Sequence, residues 1–157
     1  MPRKYVSTER FLKPDPRTGS RLVAKFINTL MYDGKKSTAR QVVYECFDTI
    51  IKKMPGENPD EVFGNAINNV KPMVEVRSKR IGGANYQVPI EVKKNRQQAL
   101  AFRWILEACR VRGGRPMAQR LAEEIMAASR KEGAAVTKRE NTHKMADANK
   151  MNAHFAW

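Results

Sequence analysis

The sequence predicts a mainly α-helical fold: a six-helix, bundle-like body with a protruding two-stranded β-hairpin arm and a basic N-terminal extension. Three observations carry this. Apolar residues recur at helical spacing over most of the chain. The period switches to two between residues 72 and 92. The first nineteen residues, rich in Arg, Lys and Pro, show no apolar period. A single domain over 1–157 is expected, read as a flexible basic arm (1–19), helices (20–71), the hairpin (72–92), further helices (93–150) and a tail (151–157).

The arm holds Arg3, Lys4, Arg10, Lys13 and Arg17 between Pro2, Pro14, Pro16 and Gly19, a mixture expected to order only against a partner. Behind a capping Ser20, the residues Leu22, Val23, Phe26, Ile27, Leu30 and Met31 mark a first helix. The turn Asp33-Gly34-Lys35-Lys36 leads to a second. Its stripe is Ala39, Val42, Val43, Cys46, Phe47, Ile50 and Ile51, closed by Pro55-Gly56. Asn58-Pro59-Asp60-Glu61 starts a third: a capping Asn, Pro in the first turn, and acids at the positive dipole end. Phe63, Ala66, Ile67 and Val70 form its buried face. Met54, Met73 and the other methionines read as core or gap filler.

From Pro72 the pattern alternates. Val74, Val76, Ser78 and Arg80 interleave with Glu75, Arg77 and Lys79; after Ile81-Gly82-Gly83-Ala84-Asn85, Tyr86, Val88 and Ile90 interleave with Gln87, Pro89 and Glu91. Each leg of about eight residues spans roughly 25 Å. Pro89 demands an edge position, as a two-stranded ribbon provides. The register stays open: an odd-length loop, the favoured one, would place both apolar rows on one face, and an even loop would split them. Because a lone hairpin is marginal in water, the tip is expected to order against a partner.

Helix resumes over about Lys94–Val111, where Ala99, Phe102, Ile105, Leu106 and Cys109 share an arc. Leu100 and Trp104 lie off it, so this helix is expected to be central. Arg96, Arg103 and Arg110 recur every seven residues along its edge. Gly113-Gly114-Arg115-Pro116 restarts the chain into a fifth helix with Met117, Leu121 and Ile125, ended by Gly133. A polar sixth follows to about Asn149, with Glu140 placed to support Lys144.

Thirty Lys and Arg against sixteen Asp and Glu give a formal charge of +14. Such self-repulsion points to a polyanionic partner. The cations cluster as Arg3-Lys4, Lys35-Lys36, Arg77-Lys79-Arg80, Lys93-Lys94-Arg96, Arg110-Arg112-Arg115 and Arg130-Lys131, mostly at turns, helix ends and the ribbon. Long side chains there reach phosphates without disturbing a core. A basic ribbon and flexible arm suit irregular folded RNA, and no recognition-helix pair for duplex DNA stands out. Tyr86 is placed to stack on a base or to pack on the ribbon.

Enzyme signatures fail. Gly34-Lys35-Lys36-Ser37-Thr38 lacks the spacing of a phosphate-binding loop, and Gly82-Gly83 lacks that of a dinucleotide fingerprint. His143 and His154 have no ligand partners, and Glu123 and Glu124 diverge on a helix. No catalytic residue, metal or cofactor is expected. Cys46 and Cys109 are expected as buried free thiols. No stretch approaches the ~20 apolar residues of a membrane span, and no secretory leader is expected.

Several stretches then carry a family resemblance: Asp33-Gly34-Lys35-Lys36-Ser37, Val70-Lys71-Pro72, Glu75 through Pro89, Ala101-Phe102-Arg103-Trp104, and His143 through Lys150. In order and spacing the chain resembles the bacterial-type seventh protein family of the small ribosomal subunit. The resemblance implies a primary binder of 16S rRNA that nucleates assembly of the subunit head, near the exit-site tRNA and the mRNA exit path. Small-subunit proteins nine and eleven would be neighbours. It implies rRNA contacts from Lys35, Lys36, Arg77, Lys79, Arg80, Arg96 and Arg103, and from the arm residues Arg3, Lys4 and Arg10. The basic clusters add Lys93, Lys94, Arg110, Arg112 and Arg115. The tip Arg80, Ile81, Gly82, Gly83 and Asn85, with Lys144 and Lys150, would approach tRNA. The implied setting is a cytoplasmic ribosome, or that of an organelle matrix or stroma, with no homo-oligomer. Family members usually end Ala-Phe-Ala-His-Tyr-Arg-Trp; here Asn152 and Ala156 depart from that pattern.

Overall fold

Ser20 opens the helical body: its hydroxyl accepts from the Val23 N–H at 3.4 Å and caps α1 (Arg21–Leu30). The structure, a computed structural model, describes residues 11–156. α2 (Lys36–Lys53) follows, then α3 (Pro59–Val70), capped by Asn58 accepting from the Asp60 N–H at 3.1 Å. Next come the antiparallel strands β1 (Val74–Ile81) and β2 (Ala84–Glu91). α4 (Lys94–Val111), α5 (Met117–Ser129) and α6 (Ala134–Ala148) complete the body. Six α-helices and one ribbon therefore form as expected among the described residues. The tail, without an apolar period, adds a short 3-10 helix over Lys150–Phe155.

The core is organised around aromatic edges. Phe26 meets Phe63 and Phe102 at centroid distances of 5.1 and 5.3 Å, and Phe47 meets Phe63 at 5.9 Å. These rings join α1 to α4 in an arrangement that adds to simple area burial. α4 is central, as expected: Leu100, Phe102, Trp104, Ile105 and Cys109 are all buried. Both thiols are free and buried. Burial, reinforced by the Glu124 carboxylate, pushes the Cys109 thiol up to about 12, and burial pushes Cys46 up further.

Helix ends inside the body are closed by distant side chains. Glu124, fully buried on α5, accepts from the Ala135 N–H at 2.8 Å and so caps α6. A Cβ on Gly133 would stand 2.9 Å from the same carboxylate, where φ is already +97°, so glycine is required there. Asn69 donates to the Ala128 and Ser129 carbonyls at 3.0 and 2.9 Å, closing α5. Arg120 donates to the carbonyls of Cys109, at 2.9 Å, and Arg112, closing α4. These are the orphan groups that every helix end leaves.

Several expectations need correction. Residues 15–18, expected as part of a flexible arm, are held against the body. Asp15 is buried and accepts from Tyr44 Oη at 2.9 Å and from the Arg17 and Thr18 N–H groups, while Arg17 pairs with Asp48. A carboxylate with several donors docks this segment on α2. The ribbon has an even, two-residue loop. Gly82 and Gly83, both at positive φ, make the tight turn that suits strand twist, and Ile81 faces Ala84. The apolar rows are therefore split: Val88 shares its face with Arg77, and Val76 with Pro89. Met73 is 72% exposed and Ile51 46%, so neither fills the core. Glu140 pairs with Arg139 at 3.4 Å rather than with Lys144.

Candidate nucleic-acid interface

A concavity of about 1330 Å³ lies between residues 11–16, α1, the start of α2 and the exposed edge of α4. Its apolar floor, including Ile27 and Phe102, is core. Its rim carries six cations, Lys13, Lys25, Lys36, Arg40, Arg103 and Arg110, and two acids, Asp15 and Glu107. Both acids are engaged: Asp15 by the contacts above and by the rim cation Arg40 at 3.7 Å, Glu107 by Lys138 at 2.7 Å. The groove is therefore a site of positive potential. Lys36 and Arg103 project from it exposed, with no ion pair among the described residues. Arg110 is aimed by its neighbours: it donates to the Leu30 carbonyl at 3.2 Å and stacks over Tyr32 at 4.2 Å.

α4 joins this groove to the ribbon. Asn95 lines the groove, and the adjacent Arg96 reaches the ribbon base. There the buried Glu75 accepts from Arg96 Nε at 2.8 Å on both oxygens and from Arg77 Nε at 2.7 Å. One carboxylate between two guanidiniums leaves one positive charge in excess. It also fixes both forks, whose remaining N–H groups suit phosphate oxygens. Lys93 and Lys94 stand exposed beside this cluster at the start of α4.

Not every predicted cation is available. At the far end of α4, Arg112 lies 3.1 Å from Glu124 Oε2, close but outside hydrogen-bond geometry, and Arg115 pairs with Glu123 at 2.6 Å. Lys79 donates to the Phe155 carbonyl at 2.8 Å. Arg3, Lys4 and Arg10 lie outside the described residues. Of the remaining predicted cations, seven have no carboxylate partner among the described residues: Lys35, Lys36, Arg80, Lys93, Lys94, Arg103 and Arg110. That number is enough for a sizeable phosphate footprint.

Arg80, Gly82, Gly83 and Asn85 are exposed at the ribbon tip, with Ile81 half-buried. Lys144 and Lys150 are exposed on α6 and on the 3-10 helix that packs against β2. Tyr86 packs on the ribbon side, with its ring 5.2 Å from that of Phe155. Lys25 and Arg40 belong to the groove but have no basic neighbour in the sequence, so no cluster along the chain marks them.

Among the described residues, no three His, Cys, Asp or Glu side chains converge as a metal site. His143 Nε2 is engaged as acceptor of the Met73 N–H at 3.1 Å. Among the described residues, no helix is long and apolar enough to cross a membrane.

Comparison with known proteins gives a consistent picture. Residues 2–150 match the family model described as ribosomal protein S7p/S5e. The chain is 59% identical, over 98% of its length and 99% of the relative's, to small ribosomal subunit protein uS7 of Rhodopirellula baltica. It is 52% identical to the protein of that name from Vibrio campbellii, over 100% of both chains. For the Thermotoga neapolitana protein the figure is 53%, over 99% of both.

Proposed function

The chain belongs to the ribosomal protein S7p/S5e family, and from that premise we propose how its surface works in the small ribosomal subunit. It is a structural, non-enzymatic, rRNA-binding constituent that serves translation. Its mechanism is charge neutralisation joined to shape recognition. The groove on α4 and the Glu75-locked arginines form one cationic mould for a folded RNA backbone. The finer role is primary binding of 16S rRNA, nucleating assembly of the subunit head. Arg77 and Arg96 act as preset forks; Lys35, Lys36, Arg80, Lys93, Lys94, Arg103 and Arg110 meet phosphates. The exposed ribbon tip, Lys144 of α6 and Lys150 of the 3-10 helix face the exit-site tRNA and the mRNA path, with proteins nine and eleven adjoining. The protein works as one copy in a cytoplasmic ribosome.

The observation that carries this reading is the groove itself: six cations on a rim whose two acids are already engaged. Competition tests it. Unlabelled head-domain rRNA should displace a labelled copy at least tenfold more effectively than duplex DNA of equal phosphate content, because a groove between helices reads irregular shape rather than a regular duplex. Equal displacement by duplex DNA would show a general polyanion binder.

A further inference from the structure

We propose that the C-terminal 3-10 helix, Lys150–Phe155, is a brace that holds the ribbon in its working pose before RNA arrives. Lys79 and Asn152 are its positioning residues. Three contacts converge. Lys79 Nζ donates to the Phe155 carbonyl at 2.8 Å, Asn152 Nδ2 donates to the Gln87 carbonyl at 3.0 Å, and the Tyr86 and Phe155 rings meet at 5.2 Å. Lys79 and Tyr86 are directly opposed in the ladder, so both present the same face to Phe155.

The ladder explains why Gln87 is available. The Val92 N–H donates to the Met73 carbonyl, which makes that rung a hydrogen-bonded pair. Counting along the register, Arg77–Val88 and Lys79–Tyr86 are hydrogen-bonded rungs, and Ser78–Gln87 is not. The Gln87 carbonyl therefore points off the open edge of β2, where Asn152 meets it. The same parity puts Pro89 on a rung that needs no N–H donor. The tail is itself stiffened: His154 Nδ1 lies 2.7 Å from the Met151 carbonyl, and its ring stands 3.9 Å from that of Phe155.

A two-stranded ribbon has little stability of its own. The brace grips it two rungs short of Ile81–Ala84, or about 7 Å along the strand from the last rung. Only the last two rungs and the glycine turn then project beyond its support. Lys79, which the sequence places among the RNA contacts, is here turned inward to the tail. Its effect on RNA binding runs through ribbon orientation. Asn152, a departure from the ending that the resemblance implies, supplies the bond to β2.

The test uses the full chain, Lys79→Met, Asn152→Ala, deletion of residues 152–157, and that deletion combined with Lys79→Met. In the free protein, amide exchange at Tyr86 and Val88 should quicken about three- to tenfold in each single variant and further in the deletion, since hydrogen bonds are lost. Core amides of α2 should not change. Lys79→Met should add nothing in the deletion background, the signature of a shared contact. A second arm rests on the RNA reading above: the salt slope of rRNA binding should be unchanged by Lys79→Met, yet fall by about one in Arg80→Met. Unchanged ribbon exchange in the deletion would overturn the brace, as would a slope loss of about one for Lys79→Met. Should RNA binding show no salt slope at all, the functional reading fails, and the exchange arm still decides the brace.

Discussion

Raising monovalent salt from about 50 to about 200 mM is expected to lower the affinity of this protein for head-domain rRNA by roughly 10³–10⁵-fold, the loss that goes with six to ten neutralised phosphates. Seven predicted cations face solvent without a carboxylate partner, and Arg77 and Arg96 share one carboxylate between them. The footprint therefore falls inside that range even before the residues outside the described chain are considered. Filter binding or fluorescence anisotropy across a salt series checks it. A loss below about tenfold would leave no more than one or two phosphates engaged, and the groove would not be an RNA mould.

Phe63→Ala is expected to destabilise the fold by about 3–5 kcal/mol, the usual cost of emptying a buried aromatic site. Phe63 is fully buried and stands between the Phe26 and Phe47 rings, so its removal leaves a cavity where α1, α2 and α3 meet. For a domain of this size the midpoint of thermal unfolding should fall by roughly 6–20 °C. Ile51→Ala on α2 is the contrast: 46% exposed, it should cost less than about 1 kcal/mol. Circular dichroism melts of both variants check the pair. Similar costs at the two positions would mean that the aromatic cluster does not anchor the body.

The difference between those residues shows what the sequence could reveal. Periodicity places Phe63 and Ile51 equally well, because each repeats at helical spacing; only tertiary packing decides which is covered. Caps that act within a few residues, Ser20 and Asn58, were legible because their partners lie in the next turn. Caps that act across the fold were not. Glu124, Asn69 and Arg120 look like solvent-facing polar residues, since nothing local signals a helix end delivered from elsewhere. The ribbon was readable from its alternation, but its register depends on loop parity, which alternation leaves open. Positive φ at both Gly82 and Gly83 sets that parity. It also turns Glu75 inward, where it organises Arg77 and Arg96. The basic clusters of the candidate interface were visible along the chain. The groove that gathers Lys36, Arg103 and Arg110 with Lys25 and Arg40 exists only after α1, α2 and α4 pack.

The measurement that bears most directly on the cationic groove is the salt dependence of rRNA binding by a Lys36→Gln, Arg103→Gln double variant beside the parent chain. Both side chains are exposed, so thermal unfolding should be unaltered. The log–log slope should become shallower by about 1.4–1.8, the signature of two lost phosphate contacts. An unchanged slope in a fully folded variant would contradict the assignment of that groove to RNA.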